Sequence, residues 1–200
     1  KFKYPPETML SHTFYETHTA EFFDFYRQKL IVHGAKPNAA HLRLAALERE
    51  GKCRAVVTQN IDGLHQAAGS KTVHGSTLRN YCTRCGKFFP VQFIEDAAGV
   101  GDGVPRCDEC GGIVKPDVVL YEEGLDEETM ENAVHAIRGV DTLIVGGTSL
   151  AVFPAAGLLR YFRGRHLVVI NMQPTNADAE ADLCIAKPIG QVLSEDISLD

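Results

Sequence analysis

The chain has 200 residues, of which 44% are hydrophobic, and its formal net charge is −6. This length provides one hydrophobic core and a small accessory module, and the acidic balance disfavours a nucleic-acid binder, whose phosphate contacts need clustered Lys and Arg. Between Thr77 and Lys115 five basic residues are matched by five acidic ones. No apolar run in the sequence approaches membrane-spanning length. We therefore expect no direct nucleic-acid or membrane partner and a cytoplasmic location.

The first half of the chain contains signals for one long helix and one buried strand. Asn38 is positioned to cap a helix that runs through Glu50, and Gly51 is positioned to end it. The apolar run over 54–58 predicts a buried strand that leads directly into a polar loop.

The second half alternates more regularly between strands and helices. A short strand is predicted over 118–120, and Asp126 is positioned to cap a helix that ends at Gly139. Strands are predicted over 142–145 and 166–171, with a helix that begins near Pro154 between them.

This alternation predicts an α/β fold with a Rossmann-like, doubly wound parallel sheet, into which a small zinc-ribbon module and a helical module are inserted. We expect residues 1–35 to form the helical part of a small domain. The sheet domain is predicted to comprise residues 36–76 and 115–200, and the zinc-binding module residues 77–114.

Four cysteines form two Cys-x-x-Cys pairs with 21 residues between the pairs. They are Cys82, Cys85, Cys107 and Cys110. Each turn directs two thiolates to one centre, so two turns supply the tetrahedral sulfur shell that Zn²⁺ prefers. Two disulfides or separate buried thiols are the alternatives, but the spacing favours a closed structural zinc site. We interpret the remaining Cys53 and Cys184 as buried thiols.

Three loops follow predicted strands, where ligands bind in doubly wound folds. The Gly146–Ser149 loop offers backbone N–H groups and small side chains that suit a phosphate or a ribose, although the same sequence is also common in turns. Asn171 is suited either to a ribose contact or to a turn. Gln59, Asn60 and Asp62 follow an apolar run directly, which is costly unless a polar ligand uses them.

Five motifs stand in a fixed order beside the paired cysteines. They are Thr58-Gln59-Asn60-Ile61-Asp62-Gly63-Leu64-His65, Val73-His74-Gly75-Ser76, Lys115-Pro116-Asp117-Val118-Val119, Gly147-Thr148-Ser149 and Ile170-Asn171. Taken together, these segments resemble those of a bacterial sirtuin, an NAD-dependent protein deacylase. The resemblance extends in family order from about Pro37 to the carboxyl terminus.

The resemblance implies a protein lysine deacetylase that uses NAD and acetyl-lysine proteins or peptides, which enter a cleft between the sheet domain and the zinc lobe. Lysine is released with nicotinamide and O-acyl-ADP-ribose, so the acyl group is transferred to the ribose. His74 matches the family's general base, a role that suits imidazole because its ordinary pKa is about 6.5. The other histidines, which include His12, His18, His33, His41 and His135, are expected at the surface or the core edge.

The resemblance also assigns binding roles. The implied nicotinamide and ribose contacts are Gln59, Asn60 and Asp62, and the implied phosphate and ribose loop is Gly147, Thr148 and Ser149. Asn171 matches an adenosine-ribose contact and Ile189 an adenine contact. Val119 and Tyr121 match walls of the acyl-lysine tunnel, although Val119 as an ordinary core residue remains open. The four paired cysteines would hold Zn.

Two departures from the family pattern, and one comparison with succinyl-removing relatives, affect these expectations. The family's glycine-rich amino-terminal strand and loop are not in this sequence, and we expect such a segment to precede Lys1. Tyr121-Glu122-Glu123 stands where many relatives have Phe-Gly-Glu, which leaves the preferred peptide sequence open. The Tyr-x-x-Arg pair of succinyl-removing relatives corresponds to Phe23 and Tyr26, with Arg27 one residue out of step. Acetyl is therefore expected to be preferred over succinyl.

Two other classes of function remain open at this point. One is a module that binds NAD or ADP-ribose, or acts as a zinc-ribbon adaptor, without catalysis. The other is ADP-ribosyl transfer to protein, which would use the same activated ribose. His74 and Asp62 favour catalysis, because a binding module needs neither a base nor a nicotinamide acceptor.

Overall fold

The computed structural model describes residues 2–70, 76–151 and 155–194. Within these ranges the α-helices are α1 (Pro6–Met9), α2 (His12–Thr17), α3 (Thr19–Lys29), α4 (Ala39–Arg49), α5 (Leu64–Ala67), α6 (Val91–Asp96), α7 (Glu127–Arg138), α8 (Ala155–Leu158) and α9 (Ile189–Val192), with a 3₁₀ turn at Leu159–Tyr161. The strands are β1 (Ser76–Cys82), β2 (Phe88–Pro90), β3 (Val114–Asp117), β4 (Thr142–Gly146), β5 (His166–Ile170) and β6 (Leu183–Ile185). None of the helices in the described ranges combines the length and apolar character needed to cross a membrane.

The chain divides into two compact units. The first unit comprises Lys1–Ala35, Asn60–Gly63 and His74–Leu125, and the second comprises Lys36–Gln59, Leu64–Val73 and Asp126–Asp200. These units are defined by packing, whereas the predicted division was based on inserted modules. The predicted domain boundaries therefore stay a prediction.

The first unit combines an antiparallel sheet with an aromatic helical core. Its strand order is β2-β1-β3, and Cys82 on β1 lies opposite Val114 on β3. In this core α3 contributes Phe22, Phe23 and Tyr26, which are fully buried, and the buried Phe25. Tyr26 lies four positions from Phe22 and three from Phe23, so these side chains share one broad face of the helix.

The second unit contains the parallel sheet. Its strand order is β4-β5-β6, with Gly146 opposite Ile170 and Ile170 opposite Ile185. A buried cluster of Ala40, Ile170 and Leu193 joins α4 and the end of α9 to the central strand. Because parallel strands need crossover connections, helical segments occupy the chain between β4 and β5. The α/β class with a parallel sheet and a four-cysteine module is thereby confirmed.

Several predicted elements are confirmed together with their capping residues. The Asn38 side chain accepts a hydrogen bond from the His41 backbone N–H at the start of α4, and Gly51 follows the helix with φ of +72°. Asp126 accepts a hydrogen bond from the Thr129 backbone N–H and caps α7. The strands predicted over 142–145 and 166–171 are β4 and β5.

Three local predictions are wrong. Residues 53–60 are not a strand, because within the described ranges no strand pairs with them, and Val57 is 44% exposed. The strand predicted over 118–120 lies just before, at Val114–Asp117, where pairing with β1 is available. Cys184 is exposed rather than buried, since it lies on the outermost described strand of the parallel sheet beside the exposed Leu183.

Candidate active site and metal centre

The four paired cysteines converge in the first unit. Their Sγ atoms all lie within 4.8 Å of one another, with 3.3 Å between Cys82 and Cys110 and 3.7 Å between Cys85 and Cys107. Zn–S bonds of about 2.3 Å in a tetrahedron place the sulfurs about 3.8 Å apart. All four cysteines are free, so the disulfide alternative is not adopted. The donor set fits zinc.

Two matching turns bring the sulfurs together. The Gly86 N–H donates to the Cys82 carbonyl at 3.0 Å, and the Gly111 N–H donates to the Cys107 carbonyl at 2.9 Å. Both glycines have positive φ, at 73° and 70°, a conformation that other residues adopt only with strain. At Gly112 an added Cβ would lie 2.9 Å from the Cys82 sulfur. These glycines let the chain close tightly around the four thiols.

Backbone donors favour the thiolate form of Cys82. The N–H groups of Cys85 and Arg84 point at its sulfur at 3.5 and 3.4 Å. These hydrogen bonds, the one from Cys85 first, lower the pKa of the Cys82 thiol to about 6. The thiolate is the form that binds a metal, so these N–H groups favour the metal-binding form of Cys82.

The glycine pair after β4 is dictated by packing and backbone conformation. A Cβ at Gly146 would overlap Cδ1 of Ile189, and Gly147 has a positive φ of 62°. The Gly147 N–H donates to the carbonyl of Ile170 at 3.1 Å. The predicted cofactor residues Gly147 and Ile189 therefore lie side by side, with 3.7 Å between the position of an added Gly147 Cβ and Ile189 Cγ2.

The hydroxyl residues of this loop are held by turns. Thr148 Oγ1 accepts from the Leu150 N–H at 3.1 Å, and Ser149 Oγ accepts from the Ala151 N–H at 3.4 Å. A hydroxyl that accepts one hydrogen bond retains its own O–H as a donor. Both groups are thus oriented by the chain and suited to donate to the oxygen of a phosphate or a ribose.

Asn171 follows the neighbouring strand β5 at the same edge of the sheet. Its backbone N–H donates to the Ile185 carbonyl at 3.1 Å, and its side-chain amide donates to the Gln173 carbonyl at 2.8 Å. The turn contact of Asn171 is therefore compatible with a role in binding a ligand at the carboxyl ends of the parallel strands. Because parallel strands end at one edge, Gly147, Asn171 and Ile189 are brought together in the second unit.

The loop that follows residue 58 is anchored to β1 in the first unit. The carbonyl of Ile61 accepts hydrogen bonds from the Thr77 N–H at 2.9 Å and from the Thr77 hydroxyl at 3.2 Å. Asn60 is exposed and Asp62 is half-buried on either side of this anchor. Gln59, the preceding residue, is exposed and belongs to the second unit.

Val119 and Tyr121 lie on the outer face of an extended segment. Val119 is 47% exposed and Tyr121 is 44% exposed, whereas the alternate residues Val118 and Leu120 are 6% and 4% exposed. Val119 is therefore not a core residue. This alternation presents both predicted tunnel residues outward and secures them through their buried neighbours.

The predicted general base His74 lies outside the described residues, as do Val73 and Gly75 of its motif and Pro154. Its assignment continues to depend on sequence. Ser76, the last residue of its motif, is the first residue of β1.

A doubly wound α/β sheet with glycine, hydroxyl and amide groups at its strand ends, together with a four-cysteine centre, defines a ligand-binding protein with a structural metal module. Residues 2–154 match the model of the Sir2 family. The chain therefore belongs to the Sir2 family.

Relatives and solved structures agree with this assignment. The chain is similar to an NAD-dependent protein deacetylase of Clostridium acetobutylicum, with 60% identity over 96% of this chain and 78% of the relative, and to one of Clostridium perfringens, with 56% identity over 96% and 79%. Among structures it resembles Sir2 bound to an acetylated peptide, with 36% identity, a TM-score of 0.87 and coverage of 96% and 82%. A complex of Sir2 with a p53 peptide and NAD⁺ matches at 34% identity with a TM-score of 0.84 over 96% and 82%.

Sequence reasoning missed an ion cluster beside the Val119–Tyr121 segment. Glu123 bonds to both His12 and Lys115, at 2.9 and 3.1 Å. From the sequence, His12 is expected only at the surface or the core edge. In the sequence, the acidic pair after Tyr121 indicated this site. The contact itself was not predicted, because His12, the partner of Glu123, lies 111 residues away in the chain.

Proposed function

We propose that this protein is an NAD-dependent protein lysine deacetylase that acts on acetyl-lysine proteins or peptides. The observation that carries the proposal is the 60% identity, over 96% of this chain, to a relative of that name. The convergence of Gly147, Asn171 and Ile189 at one sheet edge supports it, because dinucleotides bind at such edges. Zinc would hold the four-cysteine module together and take no part in the chemistry.

Each residue has a role that follows from the chemistry of its side chain. NAD, when bound, supplies the ribose that accepts the acyl group. Thr148 and Ser149 donate hydrogen bonds to phosphate or ribose oxygens, and Asn60 and Asp62 bind the nicotinamide carboxamide. His74 accepts the proton of a ribose hydroxyl, which imidazole does near neutral pH.

Mass spectrometry of an acetyl-lysine peptide incubated with the protein and NAD tests the proposal. We expect loss of the acetyl group, with formation of nicotinamide and O-acetyl-ADP-ribose. Transfer of ADP-ribose to protein would support the transferase alternative, and an unchanged peptide with bound NAD would support the binding module.

His74→Ala is expected to lower deacetylation at least about a hundredfold, because general acid–base catalysis contributes about 10²- to 10⁴-fold. Thermal stabilisation by NAD should persist, since the base is proposed to act on the bound complex. His33→Ala is the control, because its side chain is 70% exposed and contacts Glu95 in the first unit. Wild-type turnover in His74→Ala would remove this residue from the mechanism.

The cellular location belongs to this proposal as well. A reducing compartment keeps cysteines out of disulfides, and none of the six cysteines in the described ranges forms a disulfide. A cytoplasmic location agrees with these thiols and with protein substrates that carry acetyl-lysine.

A further inference from the structure

The exposed segment Val119–Tyr121 is fixed to the start of α2. The Tyr121 N–H donates to the carbonyl of Leu10 at 3.0 Å, and the His12 N–H donates to the carbonyl of Tyr121 at 2.9 Å. Buried Val118 and Leu120 secure the inner face of the same segment. The contacts that hold residues 120–123 against α2 therefore fix the position of the exposed side chains of this segment.

Glu123 is the central side chain of this attachment. Its Oε2 accepts from the Leu120 N–H at 2.8 Å and from Lys115 Nζ at 3.1 Å, and its Oε1 contacts His12 Nδ1 at 2.9 Å. The side chains of Glu123 and Lys115 are each 20% exposed. Limited exposure reduces screening, so these charges act on one another more strongly than surface ion pairs.

The ring of His12 faces a carboxylate at each nitrogen. Nδ1 lies 2.9 Å from Glu123 Oε1, and Nε2 lies 3.2 Å from Glu16 Oε1. A neutral imidazole has one N–H and one lone pair, so it can donate to only one of them, whereas imidazolium donates to both. The geometry is thus complementary to the protonated ring.

We propose that His12 is a positioning residue for the acyl-lysine substrate, and that its protonated form, through Glu123, fixes the Val119–Tyr121 segment in the arrangement that binds peptide. This inference depends on the proposed function, in which that segment contacts the substrate. It adds a pH-sensitive support from a side chain that touches neither substrate nor cofactor.

The charges around the ring determine the sign of the pH dependence. Glu16 on α2 and Glu122 and Glu123 after the segment are negative, Lys115 on β3 is held by Glu123, and the Tyr15 ring lies 6.4 Å from the imidazole. The hydrogen bond to Glu123, followed by smaller effects that include Glu16, raises the pKa of His12 above 6.5. The attraction is therefore complete below about pH 6.5 and is lost as pH rises through the raised pKa.

The experiment measures binding of a fluorescent acetyl-lysine peptide that has blocked termini and no titratable side chain. In the wild-type protein we expect Kd to rise about threefold to tenfold from about pH 6 to about pH 8.5. KM for the same peptide should follow Kd, whereas His12 should not alter the pH profile of kcat.

Two substitutions separate charge from shape. His12→Lys keeps a positive charge throughout the range and should give a low Kd that does not change with pH. His12→Gln keeps one donor without titrating and should give a Kd that is high at both ends. If His12 had a purely structural role, the Kd for peptide would not differ in this way between His12→Lys and His12→Gln.

His33→Gln is the matched control, since this other ion-paired histidine of the first unit contacts Glu95 and not Glu123. It should retain the wild-type profile, and equal melting temperatures would show that the variants are folded. A pH-independent wild-type Kd, an unchanged profile in His12→Gln, or no peptide binding at either pH would overturn the inference. Absence of NAD-dependent turnover with intact pH-dependent binding would instead overturn the proposed function alone.

Discussion

Contacts with individual atoms determine which residues fit in the loop after β4. Gly146 has no room for a Cβ, because Ile189 Cδ1 occupies that position and the Ile170 carbonyl oxygen lies 3.3 Å from it. The need for glycine here comes from packing within the second unit. The same packing holds Ile189 against the carboxyl end of β4, where the cofactor is predicted to bind.

Gly146→Ala should destabilise the protein by about 1–3 kcal/mol, because the methyl group overpacks against Ile189. The Ile189 side chain must shift, so KM for NAD should also rise. Thermal unfolding and steady-state kinetics measure the two effects. Gly124→Ala is the control, since an added Cβ there meets nothing within 4 Å; equal effects at both positions would contradict the packing argument.

Acyl selectivity is also argued at the residue scale. The positions that match the carboxylate-binding pair are Phe23 and Tyr26, both fully buried, and burial raises the pKa of Tyr26 so that its phenol stays neutral. The Arg27 guanidinium donates to the carbonyls of Gly103 and Ile94 at 2.9 and 3.3 Å. It is therefore engaged with backbone, which supports the expectation that it does not bind an acyl carboxylate.

We expect kcat/KM for an acetyl-lysine peptide to exceed that for its succinyl counterpart at least about tenfold, because a buried carboxylate without a cation costs several kcal/mol. A butyryl peptide is the control for size, since it has the same chain length as succinyl without the charge. Butyryl should be used better than succinyl. Equal or higher efficiency on succinyl would show that a cation reaches the acyl group.

At the scale of elements, the cysteine module depends on its metal for stability. Its two turns are short, and Cys82 ends β1 opposite Val114 of β3. Metal ligation therefore links the turns to the antiparallel sheet. Structural zinc contributes on the order of 10 kcal/mol to a small module.

Cys82→Ser, or removal of zinc by a chelator, should unfold the module and lower the melting temperature, with an indirect loss of deacetylation. Metal content per chain and calorimetry measure these effects. Cys184→Ser is the matched control, because this exposed cysteine lies outside the four-cysteine cluster. Metal-free protein with an unchanged melting temperature would contradict the structural role.

Element formation also depends on partners that are distant in sequence. The 53–60 segment has the apolar residues of a strand, yet no described strand pairs with it. Arg54 instead contacts the end of α7, where it donates to the Gly139 carbonyl at 3.2 Å and lies 2.9 Å from His135 Nε2. Strand propensity without a pairing edge is not sufficient for a strand.

At the scale of the whole molecule, each unit has a sheet and a core of its own. The first core is large and aromatic, and the second is a smaller aliphatic cluster around Ile170. The net charge of −6 gives no electrostatic basis for phosphate-backbone binding.

The sequence by itself determined the clustering of the four paired cysteines, the capped helices, the strands β4 and β5 and the family. These features have local signals, because a cysteine turn, a helix cap or a strand that leads into a glycine loop is encoded within a few residues. The pairing of β4 with β5 places Gly147 and Asn171 at the same edge of the sheet, while their cofactor roles stay a prediction.

Only the tertiary structure decided which apolar runs became strands and which charges met. The strand at Val114–Asp117 exists because β1 offers it an edge. Glu122 has a positive φ of 76°, where glycine would be unstrained, and its carboxylate accepts from the Thr13 N–H at 2.9 Å. Glu123 meets His12 across 111 residues of chain. Contacts of this kind depend on how the chain folds back on itself, and no local pattern encodes them.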